Sequence, residues 1–298
     1  MGIFWSFLSA FLWSTTFVCA RYLLAGKSID PITLSVLRFA IGAACLMAFG
    51  LVRFRSKILP ISLKDFAHCL LMASFGVVGM GVLLFFGQQH TSAINSSIIM
   101  QVCPVFIFLL GVAVGERLSL AGFAGIVVSL AGTAMLMNVL TPRGLALTFS
   151  LGNRGDLLVI GSAACWAVYA VFSKPVVNRL GGYAATTWVM AAGALELVVL
   201  RLVWPAPVVL PGRAIEWAAV IYMAIFPTAI AFFAWYEAMR LIRLSILNVM
   251  QYLTPVFTIF LAWLLLGERM TPWQAAGIAV IAGGIALVSR RDHKTRGT

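Results

Sequence analysis

Glu196 stands in the run Ala191-Ala192-Gly193-Ala194-Leu195-Glu196, with no second charge before Arg201. A carboxylate in so apolar a stretch is expensive to keep ionised, so it either pairs with a cation or exchanges a proton. Proton exchange would couple the movement of a solute to a proton gradient; pairing with Arg38 or Arg201 would make the residue structural. Arg38 is the cationic counterpart, inside another apolar run but near its outer end. A guanidinium there could hold the carboxylate of a solute, or reach back toward the end of its helix. Trp13 and Trp166 lie in similar runs, and Tyr169 falls one helical turn beyond Trp166. Such rings could sandwich an apolar or aromatic side chain, hold an ammonium by cation–π attraction, or simply pack. Gln101 precedes Pro104, and Gln251 precedes Pro255. Each proline lacks an amide hydrogen and frees a carbonyl one turn upstream, which makes it a candidate hinge. In lipid that carbonyl needs a partner or a wet cavity. The glutamine amides could supply the partner, contact a solute, or serve as polar glue between helices. Met100 and Tyr252 adjoin them and offer adaptable apolar contacts. Arg21 and Lys174, nearer the ends of their runs, read either as a pair of gates or as anchors to lipid headgroups.

Covalent chemistry finds little support. The histidines are His68 and His90, at opposite ends of one apolar stretch, and His293 near the C-terminus. They cannot converge on one site, and no H-E-x-x-H pattern occurs. Cys19, Cys45, Cys69, Cys103 and Cys165 have neither metal-ligand spacing nor the even count of a disulfide framework. No G-x-x-x-x-G-K-[ST] loop is present for a nucleotide. The expectation is a chain with no cofactor, no metal and no catalytic residue.

The elements that must position these side chains follow from composition. Of 298 residues, 10% are charged and 62% hydrophobic, and the mean hydropathy is +1.03. An ordinary soluble domain carries about 25% charged residues, and a soluble sphere of this size could not bury so much apolar surface. A soluble enzyme, a nucleic-acid-binding module and a disordered chain are excluded. Ten stretches approach the roughly 20 apolar residues that a helix needs to cross a bilayer. They run over about 3–25, 32–53, 66–89, 93–113, 120–140, 155–177, 184–204, 214–240, 244–266 and 272–290. Alternation of period two is absent, which argues against a β-barrel. The first stretch lacks a basic leader and is too long for a signal-peptide core, so it counts as the first span.

The net charge of +12 therefore marks helix ends and lipid contacts, and needs no nucleic-acid partner. With the N-terminus inside, thirteen Lys and Arg fall on the inner side and seven on the outer. That places both termini in the cytoplasm. Four segments result: residues 1–141, a Pro- and Gly-containing linker over 142–154, residues 155–290, and a basic tail over 291–298.

The two long segments resemble each other. Gln101, Pro104, Gly115-Glu116-Arg117, Ala124-Gly125 and Gly132 in the first answer to Gln251, Pro255, Gly267-Glu268-Arg269, Ala276-Gly277 and Gly284 in the second. The offset is 150 at the glutamines, 152 from Gly-Glu-Arg onward and 153 at Trp13/Trp166 and Arg21/Lys174. Five spans is an odd number, so the second copy must enter the membrane upside down. Inverted repeats of this kind underlie alternating access in many secondary transporters. The expected fold class is all-α and integral to the membrane: ten transmembrane helices as two inverted five-helix repeats. Spans five and ten are rich in Gly and Ala, which permits close helix approach within the chain or in a homodimer.

Trp13-Ser14, Arg38-Phe39, the Gln/Pro spans ending in Gly-Glu-Arg, Trp166-Ala167 with Lys174, and Trp235-Tyr236-Glu237-Ala238 together resemble the drug/metabolite transporter superfamily, EamA type. The resemblance covers nearly the whole chain. It implies export or exchange of small metabolites, often amino acids, across a bacterial inner membrane. Small multidrug relatives rely on a glutamate in their first helix, which this chain lacks; a proton-coupled exporter of drugs or organic cations is the alternative. A multiply charged phosphate cargo would need several cations at the cavity, and only Arg38 lies well inside a span.

Overall fold

The computed structural model describes residues 1–54, 60–91, 96, 99–115, 120–136, 140–141, 144–145, 154–257, 260 and 271–294. In chain order the helices are α1 (Gly2–Ala25), α2 (Pro31–Phe54), α3 (Leu63–Ala73), α4 (Met80–His90), α5 (Cys103–Ala113) and α6 (Leu120–Leu136). A two-residue antiparallel pair, β1 (Leu140–Thr141) with β2 (Gly144–Leu145), begins the linker. Then come α7 (Arg154–Phe172), α8 (Lys174–Leu180), α9 (Gly182–Val203), α10 (Ala214–Ala224), α11 (Ala231–Leu241), α12 (Leu244–Met250) and α13 (Pro272–Lys294). A π-helical turn, Ser74–Gly79, joins α3 to α4, and another, Ile225–Ile230, joins α10 to α11. Each makes a continuous 28-residue helix, and the two turns start 151 residues apart.

Six helices among the described residues are long and apolar enough to cross a membrane. The expected spans four, five, nine and ten appear as shorter apolar helices: Cys103–Ala113, Phe123–Met135, Ile246–Phe257 and Ala275–Leu287. Spans four and nine are interrupted for a local reason. At Gln101-Val102 and Gln251-Tyr252 the backbone tightens to i→i−3 bonds, such as Val102 N to Ile99 O (3.0 Å) and Tyr252 N to Val249 O (3.2 Å). Pro104 and Pro255 have no N–H to continue the ladder there. Span six departs from its expected limit at 177 in the same way. It stops at Phe172 and restarts as α8, with Pro175 at the new start. Gly181 ends α8 at φ +80, a left-handed conformation suited to glycine.

The packing crosses between the two halves of the sequence. Helix α1 lies against α11, α4 against α7, α2 against α9, and α6 against α13. Glycine permits the closest approaches. A methyl group at Gly132 would come within 2.8 Å of the Gly277 carbonyl, and one at Gly284 within 2.8 Å of the Gly125 carbonyl. The small-residue stripes of α6 and α13 are thus occupied by each other. Gly42 of α2 abuts Thr228 in the second π turn, and Gly193 of α9 abuts Val77 in the first.

Charged residues fasten helix ends. Ser62 caps α3 through Asp65 N (3.0 Å), and Asp65 pairs with Arg179 at 2.7 Å. Glu216 accepts from Gly212 N, Arg213 N and Ser28 Oγ, and pairs with Arg213 at 2.8 Å. The bond to Glu216 holds the Arg213 guanidinium above its ordinary range. Leu71, Leu109, Phe123, Val199, Leu202 and Ile221 are exposed, as expected of side chains that face lipid rather than water.

Candidate functional site

A cavity of about 90 Å³ opens where the two halves meet. One water needs roughly 10–15 Å³ on this measure, so the space admits several waters or a small solute. The first half contributes Trp13, Thr16, Phe17, Arg38, Met80, Leu84, Met100 and Gln101, and the second Trp166, Phe232, Gln251 and Thr254. Both glutamines sit at the tightened turns of their broken helices, where irregular backbone borders the cavity rather than lipid.

The tryptophans meet but do not form facing walls. Their ring centroids are 5.1 Å apart with planes at 90°, an edge-on contact. Phe232 and Trp235 complete the group, at 5.5 and 5.3 Å from Trp13 and 5.6 and 5.5 Å from Trp166. Offset and edge-on pairs are favoured by the ring quadrupole. This edge-on contact leaves no space for a ring or side chain between Trp13 and Trp166. Tyr169 packs 5.0 Å from Trp166 yet falls behind the cavity wall, fully buried.

A polar chain holds the wall in place. The Trp166 indole N–H donates to Gln251 Oε1 at 3.1 Å, Gln251 Nε2 donates to Asn248 Oδ1 at 3.4 Å, and Asn248 Nδ2 donates to the Pro104 carbonyl at 2.8 Å. Asn248 thus bonds the carbonyl of Pro104 itself, not the one that Pro104 frees a turn upstream, while Gln251 orients Trp166. Tyr252 points away, into a second apolar cluster with Ile126, Val249 and Ile281.

Arg38 does not reach for a helix end. It is 2% exposed and lines the cavity. Its Nε donates to Thr228 Oγ1 at 2.5 Å, with Nη2 3.5 Å from the Pro227 carbonyl. The Phe39 and Phe85 rings lie 5.1 and 5.8 Å from the guanidinium carbon. The Thr228 hydroxyl itself donates to the Met223 carbonyl at 2.7 Å, so Arg38 is tied to the π turn of the helix opposite.

Glu196 belongs to another face. Its Oε1 accepts from Ser74 Oγ at 3.0 Å; Ser74 is exposed and Glu196 half-buried. Neither possible cation engages it: Arg38 bonds as above, and Arg201 Nη2 donates to the Ala206 carbonyl at 2.8 Å. Glu196 is absent from the cavity wall. A Glu196→Gln protein keeps a partner for Ser74, and we expect its transport rate and proton dependence to stay within twofold of the parent. A flux assay with an imposed pH gradient measures this, and loss of proton dependence would return the carboxylate to the mechanism. Lys174, half-buried at the start of α8, and the hinge candidates Pro104 and Pro255 also lie off the cavity wall. The Arg21 side chain is outside the described residues.

Thr16, Phe17, Met80, Leu84, Phe232 and Thr254 were not singled out from the sequence. Three of them had a signal there: Thr16 and Phe17 stand three and four residues after Trp13, and Thr254 three after Gln251.

Comparison with known proteins agrees with this geometry. A family model described as the EamA-like transporter family matches residues 1–138 and again residues 153–290. An uncharacterized transporter of Archaeoglobus fulgidus is 27% identical over 290 residues, 96% of each chain. A probable terminal-alkyne amino-acid exporter of Streptantibioticus cattleyicolor is 28% identical, over 95% of this chain and 92% of that protein. A solved crystal structure superposes with a TM-score of 0.78 at 26% identity, over 96% of this chain and 95% of the other. With the apolar crossing helices, the family match makes this a multi-pass membrane transporter and not an enzyme. The chain belongs to the EamA-like transporter family.

Proposed function

We propose that the protein is a gradient-driven exporter or exchanger of small metabolites, amino acids or close relatives first among them, working by alternating access. The observation that carries this is the cavity itself, built from both halves of the chain beside two broken helices. Cavities between repeats at discontinuous helices are where secondary transporters bind solutes. The fold is read as ten helices in two inverted five-helix repeats, residues 1–141 and 155–290. Three observations support that reading. The π turns recur 151 residues apart. Pairing α1 with α11 mirrors pairing α4 with α7 when the halves are exchanged. The family model matches twice. Two such halves can swap conformations at nearly equal energy and so expose one site to either side.

The amino-acid class is supported by the relative named as a probable amino-acid exporter and by a cavity that combines amides, a cation and aromatic rings. No acidic side chain is among the described residues of the cavity wall, which weighs against an organic-cation exporter. The membrane is read as the bacterial inner membrane, with both termini cytoplasmic.

Proteoliposomes loaded with one unlabelled solute and presented with a labelled panel of amino acids, amines and sugars test the reading. We expect counterflow of at least one amino acid and none of the sugars. A folded protein that moves nothing in the panel would overturn metabolite transport.

A further inference from the structure

Arg38 is a buried cation with no carboxylate partner among the described residues. The ion pairs among the described residues join Arg179 to Asp65, Arg213 to Glu216 and Arg240 to Glu237, and none includes it. A hydroxyl, a distant carbonyl, two ring faces and the Cys19 thiol neighbour the guanidinium, and its Nη1 has no acceptor among the described residues. Burying a charge without its opposite is strongly unfavourable. On the same cavity wall stands Thr16, a residue 5% exposed whose buried hydroxyl has no hydrogen-bond partner. A guanidinium without a carboxylate and a hydroxyl without a hydrogen bond thus belong to the wall of one small space.

The chain contains its own control for a merely structural role. Gly42 packs on the π turn at Thr228 as Gly193 packs on the π turn at Val77, each pair shifted by 151 residues. At that shift the counterpart of Arg38 is Val189 and the counterpart of Thr228 is Val77, both fully buried. The same helix-to-π-turn packing is therefore achieved with two valines. The guanidinium and its threonine are not required by the architecture; they are an asymmetric addition to one side of it.

We propose that Arg38 and Thr16 form a carboxylate-binding subsite, so that the transported solute carries one negative group and presents it to α2. A single guanidinium balances a monocarboxylate, whereas a phosphate dianion would bring a second, unmatched charge. The rest of the solute lies against the Trp13, Trp166 and Phe232 rings, which accept an apolar side chain or an ammonium equally well. This deepens the transport reading and rests on it.

Binding of L-leucine, leucinamide and isoamylamine to the purified protein, followed by tryptophan fluorescence and thermal unfolding, provides the test. L-leucine is expected to bind roughly 10- to 100-fold more tightly than leucinamide, the range of one charged hydrogen-bonding group. Arg38→Gln should erase that preference, and Arg38→Lys should keep part of it. Thr16→Val removes a hydroxyl that bonds to nothing, so the melting temperature should hold or rise while leucine affinity falls roughly 2- to 10-fold. If Arg38→Gln does not fold, Thr16→Val decides by the same readout. Equal binding of acid and amide, or no binding of the acid, overturns the subsite. Binding without flux in proteoliposomes would keep the subsite and overturn transport; flux indifferent to the carboxylate would do the reverse.

Discussion

Trp166→Ala should abolish transport and leave a protein that unfolds far more readily than the parent. The indole touches Trp13, Tyr169, Phe232 and Trp235, all at centroid distances between 5.0 and 5.6 Å. Removing a buried aromatic ring of this size costs about 3–5 kcal/mol in lost burial and residual cavity. Gln251 Oε1 loses its donor as well, which adds about 1–3 kcal/mol if nothing replaces it. Native domains have only about 5–15 kcal/mol in hand. The companion variant Trp166→Phe separates the two contributions. It retains most of the ring contacts and loses only the N–H, so it should fold and insert while Gln251 is free to turn. Its defect should appear as weaker solute binding, about tenfold, with a modest fall in melting temperature. Detergent-resistant melting and counterflow measured on both variants check this. A Trp166→Phe protein indistinguishable from the parent would mean that the bond to Gln251 positions nothing.

That aromatic group illustrates which parts of the site were legible in the sequence. Trp13, Trp166, Gln101, Gln251 and Arg38 stood out because each is large or polar inside an apolar run, and four of them recur at nearly constant spacing. Phe232, Met80 and Leu84 did not, for a physical reason. A helix that is apolar all round has no periodic contrast, so sequence cannot say which of its faces turns to a cavity and which to lipid. Glu196 shows the opposite case: it stood out in the sequence but lies off the cavity wall. Its rarity made it conspicuous, yet rarity carries no information about facing, and the structure turns it to the exposed Ser74 at the start of the first π turn. The broken helices were foreshadowed by Pro104 and Pro255, because a missing N–H has a fixed local consequence. The π turns were not. One contains Pro227, but the other has only glycines at 76 and 79 to distinguish it, and glycine in a helix has too many other meanings.

The glycine at 76 matters through what it faces, and this gives the second large effect. A Cβ there would fall on the ring of Tyr169, in direct overlap with its Cγ and Cδ2. The ring cannot swing aside. Tyr169 is fully buried, with Trp166 5.0 Å, Tyr236 5.9 Å and Phe232 6.3 Å away. Gly76→Ala should therefore destabilise the protein by about 1–3 kcal/mol, as overpacking does, and Gly76→Val should prevent accumulation of folded protein. Helix propensity alone predicts the reverse sign, because alanine is favoured over glycine by about 1 kcal/mol. Gly283→Ala is the matched control: nothing lies within 4 Å of a Cβ at that position, so propensity acts unopposed and stability should hold or rise. Melting temperatures of the two alanine variants in one detergent should move in opposite directions. If Gly76→Ala melts at or above the parent, the first π turn is not locked against Tyr169, and the aromatic wall behind the cavity is free to move without it.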